Sequence, residues 1–193
     1  SLRMAVPPGV TVIIHLSNQQ YRLHLMYRRE IHLGPHLNHN VQNMGFDIKT
    51  LKPNKNGRYK QGYLDKSQCK KLVCESNEPV IYRSGLELKF IKYCETNPLI
   101  KRWGSEIIKI DYYNPLREKM CEYFPDYVIE HTDGQKFIVE IKPYEQTKKP
   151  RKKASQWLKE QYVINVSKWR AAQAYAAANN VKFVVVTERF FGH

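Results

Sequence analysis

Residues 122–142 read EYFPDYVIEHTDGQKFIVEIK, and the architecture expected of the chain grows out of them. Tyr123–Glu130 and Gln135–Lys142 are runs rich in aromatic and β-branched side chains, and Thr132-Asp133-Gly134 between them is a strong hairpin signal. Along the second run Phe137, Val139 and Ile141 alternate with Ile138, Glu140 and Lys142. In a strand this puts an apolar surface on one face and an acid beside a base on the other.

Where Asp126 lies depends on the loop, because opposed residues of an antiparallel pair share a face and a slip of one residue reverses every side chain. A loop of Asp133-Gly134 alone would set Asp126 opposite Ile141. A loop of Thr132-Asp133-Gly134, built as a type I turn with Gly134 in the left-handed region, sets Asp126 opposite Glu140, and this register is the one expected. Two carboxylates then stand side by side near an ammonium, and such a pair repels itself unless a proton or a cation resolves it. Mg²⁺ is a natural occupant, being small and hard and commonly held by one or two carboxylates with water and phosphate oxygens.

On the N-terminal side, Ser84-Gly85-Leu86-Glu87 matches a capping box and opens a first helix running to about Glu95. Phe90, Ile91 and Cys94 fall on the same face as Glu87, so this acid points inward, where a carboxylate is costly unless something binds it. Trp103–Tyr113, WGSEIIKIDYY, alternates as one strand with Ile108 and Ile110 on one side and Ile107 on the other, ended by Asn114-Pro115. Glu106 reads as its exposed terminus. On the C-terminal side, Asn165–Asn179 reads as a second helix, alanine-rich so that it can approach a sheet, with Trp169, Ala172, Gln173 and Ala176 in one stripe. Val181–Glu188, VKFVVVTE, has the continuous apolar character of a strand buried on both faces, and Phe190 and Phe191 are expected to pack after it.

Pro125-Asp126 followed by Glu140-Ile141-Lys142 is similar to the signature of the PD-(D/E)xK nuclease superfamily. The flanking series Tyr82–Phe90, Trp103-Gly104-Ser105-Glu106, Val139–Pro143 and Ser167–Ala172 resembles the head-completion nuclease family of T4-type tailed phages, relatives of the TnsA-like transposase endonucleases. The likeness runs over residues 55 to 190 and rests on four motifs in order. It implies an α/β, restriction-endonuclease-like core: a central mixed four-stranded sheet in the order helix, three-stranded meander, helix, strand, flanked by helices. It implies a metal-dependent endonuclease that hydrolyses phosphodiester bonds of packaged DNA as the head is closed, with Mg²⁺ or Mn²⁺ and no small-molecule cofactor. Glu87, Asp126, Glu140 and Lys142 would be catalytic, with Asp126, Glu140 and Glu87 as metal ligands. Lys168, before Trp169, could reach the active site in folds of this kind, but a surface lysine is the reading expected. DNA and phage head, portal or neck proteins would be the partners, in the host cytoplasm or on the virion. Two alternatives stay open: a non-catalytic DNA-binding head or neck protein, and a TnsA-like transposase endonuclease subunit.

Charge points the same way. The 193 residues carry a formal net charge of +14, which attracts polyanions, nucleic acid being the commonest and acidic proteins and anionic membranes the others; ribosomal-type binding would account for the charge equally well, so charge alone does not choose an enzyme. Lys148, Lys149, Arg151, Lys152 and Lys153 follow the Glu140–Lys142 edge directly and are expected to touch DNA. Arg58 and Lys60, in a lysine- and tyrosine-rich arm over residues 44–81, would lie along the phosphate backbone or belong to a solvated tether. Arg83 would steer phosphate or neutralise the acids.

Residues 82–193 form the expected nuclease domain. Residues 1–43 hold no lysine, one acid (Glu30) and five of the seven histidines, and read as an atypical extension upstream of Met44, lying outside the nuclease fold. VTVIIHL within them has the pattern of a strand, and the histidines lack metal-ligand spacing. Four cysteines without paired spacing are expected as free thiols. No apolar run approaches the roughly 18 residues of a membrane span, and residues 1–20 lack a signal-peptide pattern, so a soluble intracellular protein is expected.

Overall fold

The computed structural model describes residues 12–13, 61–74 and 79–192. In chain order they form β1 (Val12–Ile13), β2 (Gly62–Leu64), β3 (Val80–Tyr82), α1 (Gly85–Thr96), β4 (Ile100–Ser105), β5 (Ile110–Asn114), β6 (Lys119–Tyr123), β7 (Tyr127–His131), β8 (Lys136–Ile141), α2 (Tyr144–Thr147), α3 (Gln156–Ala178) and β9 (Lys182–Val186). The main sheet has the order β1-β9-β8-β7-β4. β4–β7 and β7–β8 are antiparallel, while β8–β9 and β1–β9 are parallel. Without the two-residue β1 this is the mixed four-stranded sheet expected, with α1 before the meander and α3 before the last strand. The pairs β2–β3 and β5–β6 form separate antiparallel ribbons.

The β7–β8 register is the one that places the acids together. Tyr127 faces Val139 and Glu130 faces Lys136, so one step back Asp126 stands opposite Glu140. The loop has three residues: the His131 N–H donates to the Gln135 carbonyl at 2.8 Å, and Gly134, at φ +84°, donates to the His131 carbonyl at 3.0 Å.

Alternation along β8 and β9 divides the core. Phe137, Val139, Ile141, Val184 and Val186 pack toward α1, with Phe90, Ile91 and Cys94. Ile138, Phe183 and Val185 pack toward α3, against Trp169, Ala172 and Ala176. Small alanines bring α3 close to the sheet, so the even-numbered β8 side chains, Glu140 included, face this helix. Phe190 and Phe191 pack near Tyr93 of α1.

Three expectations are corrected. Trp103–Tyr113 is not one strand: β4 ends at Ser105 and the chain turns at Glu106, whose φ is +52°. Ile107 folds back over Gly104, where a Cβ would meet its side chain at 2.8 Å, and Ile107, Ile108 and Ile110 all enter the α3-side core. Tyr123–Glu130 is likewise interrupted at Phe124-Pro125-Asp126, since proline offers no ladder N–H; β6 before it pairs with β5, and β7 after it joins the sheet. The second helix starts at Gln156 instead of Asn165. Its charged first turns read as a continued basic segment, but Ser155 caps them, its Oγ accepting from the Leu158 N–H.

Within residues 1–43 only Val12–Ile13 is described, and it pairs with Val185 and Val186 at the sheet edge. Arg58 and Lys60 lie outside the described residues. Further along the arm, Leu64, Cys69 and Leu72, followed by Tyr82 just beyond it, pack on the α1-side core. Lys71 is held there, its ammonium donating to the Asn97 carbonyl at 2.6 Å. The four cysteines are free, and no helix among the described residues is long and apolar enough to cross a membrane.

Because nothing lies within 4 Å of a Cβ at Gly134, Gly134→Ala loses conformational energy alone. It should destabilise by about 1–2 kcal/mol, and Gly134→Asn by less, read as shifts of the urea midpoint at constant slope.

Candidate active site

Glu140 is the centre of the cluster. It is 3% exposed, and a carboxylate so buried needs partners for both oxygens. Oε1 pairs with the Lys142 ammonium at 2.8 Å, and Oε2 accepts from the Tyr123 hydroxyl at 2.5 Å. Asp126, across the ladder from Glu140, accepts from the Ile141 N–H at 2.6 Å through Oδ2. The sequence-predicted Asp126, Glu140 and Lys142 are therefore brought together.

Burial and the Glu140 charge push the Asp126 carboxyl well above the ordinary aspartate range, against the pull of Lys142. Burial works against the Lys142 charge, but Glu140 and Asp126 outweigh it and hold this lysine above its ordinary value. Burial, then Glu140, raises the Tyr123 phenol as well, so it remains a donor.

Glu87 sits at the margin. Its Oε1 accepts from the Ser84 hydroxyl at 3.0 Å and its Oε2 from the Arg83 N–H at 2.9 Å, which is capping work at the start of α1. Its charge nonetheless acts on Asp126 and Lys142. Arg83 grips Glu106 at two points, 2.9 and 3.0 Å, so it is committed to an acid of the site. The Glu106 N–H donates to the Asp126 carbonyl at 3.1 Å, which ties the left-handed turn to the segment just before β7. After Lys142 the chain passes through α2 to Lys149, Arg151, Lys152 and Lys153, all exposed, while Lys148 pairs with Glu145 at 2.7 Å.

Tyr123, Tyr112, Glu106 and Lys168 were missed or underrated in sequence. Tyr112 meets Tyr123 edge-on with ring centroids 6.4 Å apart, and the Lys168 ammonium lies 5.6 and 5.3 Å from the two ring centroids. Only the WGSE motif gave any signal for Glu106.

The chemistry of this donor set fits a hard divalent cation. Burial and the Glu140 charge together raise the Asp126 pKa, and the one ammonium beside the two acids is already paired with Glu140, so both can stay ionised together only if a further cation joins them. No group of three His, Cys, Asp or Glu side chains converges among the described residues, but Mg²⁺ asks only for one or two carboxylates beside water and phosphate.

Comparison with known proteins identifies the class as a PD-(D/E)xK-like nuclease related to TnsA. Residues 97–188 match the family model of the TnsA-like endonuclease N-terminal domain. The head completion nuclease of Enterobacteria phage T4 is 36% identical over 118 residues, covering 56% of this chain and 79% of that protein. The chain belongs to the family of that head completion nuclease. No solved structure matches it significantly.

Removing the donor to a buried carboxylate while keeping the ring isolates the Tyr123 contact. Tyr123→Phe should cost about 1.5–3 kcal/mol in chemical denaturation and lower kcat more than KM. Asp126→Asn should raise the Tm of metal-free protein at neutral pH. The sign follows from linkage: an aspartate whose folded pKa exceeds its unfolded one binds more protons when folded, so stability falls as pH rises from 3.8 upward, and Asn removes that slope.

Proposed function

We propose that this nuclease is a divalent-metal-dependent DNA endonuclease, on the strength of one observation: Asp126 opposed to Glu140, with Lys142 2.8 Å from Glu140. Asp126 and Glu140 would hold Mg²⁺ or Mn²⁺, and Glu87 would add its charge from the helix cap. A bound cation of this kind polarises the scissile phosphate and lowers the pKa of an attacking water. Lys142, kept protonated by its acid neighbours, orients the nucleophile or offsets the charge that builds on the pentavalent transition state. Tyr123 fixes the Glu140 carboxylate, and Arg83 balances Glu106. Lys149, Arg151, Lys152 and Lys153, with Lys148, Arg58 and Lys60, would contact the phosphate backbone and release its counterions.

The relative's name supports a role in head completion. In that reading the protein acts on packaged DNA as the head closes, with head, portal or neck proteins as partners, in the host cytoplasm or on the virion. The match to the TnsA-like model favours a second reading, an endonuclease subunit working beside a transposase. A purely structural, non-catalytic role is disfavoured, since it has no use for two desolvated acids held together.

Supercoiled plasmid with Mg²⁺ or Mn²⁺ supplies the test. Wild type should nick or linearise it, EDTA should stop the reaction, and Glu140→Ala or Lys142→Ala should lower the rate on the order of 10²–10⁴-fold with the fold retained. Activity surviving both substitutions would refute the site. Mg²⁺ should also raise the Tm of wild type and not of Asp126→Asn, a readout that needs no cleavage.

A further inference from the structure

The cluster around Glu140 is rich in acid. Glu87, Glu106, Asp126 and Glu140 face Arg83 and Lys142, and both of these cations are already engaged, with Glu106 and Glu140 respectively. A phosphodiester approaching this ground needs positive charge that is not committed.

Lys168 offers it. It projects from the middle of α3, next to the fully buried Trp169, so a rigid helix sets its backbone. Its side chain is half-buried, and among the described residues its ammonium meets no carboxylate within ion-pair distance and donates no hydrogen bond. The contacts it makes are with two π-faces, Tyr112 at 5.6 Å and Tyr123 at 5.3 Å. Aromatic faces stabilise a cation electrostatically but accept no ordinary hydrogen bond, so the three N–H donors of the ammonium stay available. Tyr123 also donates to Glu140, which puts the platform under Lys168 in direct contact with the acid cluster. Burial lowers the pKa of Lys168, while Glu140 and Asp126 counteract this from a distance.

We propose that Lys168, over the Tyr112–Tyr123 platform, forms a phosphate subsite beside the acid cluster that takes a phosphodiester of the DNA strand. The identity of the strand rests on the nuclease reading; the subsite itself is an anion site for a phosphate group. The lysine is a positioning cation whose ammonium would offset the phosphate charge that Lys142, paired with Glu140, does not neutralise. The β5–β6 ribbon then has a function: it carries both tyrosines.

The experiment measures binding without cleavage. Fluorescence anisotropy of a labelled duplex, with Ca²⁺ replacing Mg²⁺, is followed across a salt series for wild type, Lys168→Ala, Lys168→Met and Lys168→Arg. One lost phosphate contact should make the slope of log K against log salt shallower by about 0.9 in the Ala and Met variants, and Arg should restore it. Met still covers the rings, so a fold effect of exposing them separates from loss of charge. A slope unchanged in both Ala and Met, or an Arg variant as impaired as Ala, would overturn the subsite and leave Lys168 as a cover for the tyrosines. Plasmid cleavage by wild type is scored separately, so failure to cut strikes the nuclease reading while the slopes still judge the subsite.

Discussion

A carboxylate sealed into a sheet is the constraint from which the site is built. Glu140 is almost wholly removed from water, and removing a charge costs several kcal/mol unless hydrogen bonds and an opposite charge replace the solvent. Lys142 supplies the charge from just past the end of the same strand, two residues on. Tyr123 supplies the hydrogen bond from a different ribbon, and Asp126 adds a second acid across the ladder. A sheet can hold such a set only if its register is unambiguous, which makes the Gly134 turn a part of the acid–base cluster in all but distance.

The break in the chain after Ser105 follows from the same need. Had Trp103–Tyr113 continued as one strand, β5 could not have left the sheet to pair with β6, and Tyr112 and Tyr123 would not reach the α3 side. The left-handed backbone at Glu106 is costly for a residue with a side chain. It is held by the Arg83 grip and by the bond to the Asp126 carbonyl, so the turn, the start of α1 and the residue just before β7 are tied together. An observed backbone outlier at the acid cluster is the kind of strain that functional sites store.

Charge is organised by distance from this centre. Close in, Arg83 and Lys142 are paired with acids, Glu106 and Glu140 respectively. Further out, the exposed residues Lys149 and Arg151–Lys153 keep their charges solvated and face the surface, suited to a backbone that arrives with counterions. A single run of basic residues in a sequence does not reveal this division, because pairing is a property of where side chains end up.

The hairpin, its register, the capped first helix and the doubly buried last strand were all legible in the sequence. Each depends on local chemistry: a glycine where φ is positive, a period of two, a serine before an acid. Asp126, Glu140 and Lys142 were legible for the same reason, since strand alternation and one turn suffice to bring them together. Tyr123 and Glu140, seventeen positions apart, meet only because proline interrupts the strand and the β5–β6 ribbon folds over. Lys168 joins them only because alanines let α3 lie close to β8 and β9. Contacts between elements depend on packing distances and on where the chain leaves the sheet, and residue spacing carries no record of either, so the acid–base pair belonged to the sequence while its tyrosine platform and the ammonium over it were decided by the tertiary fold.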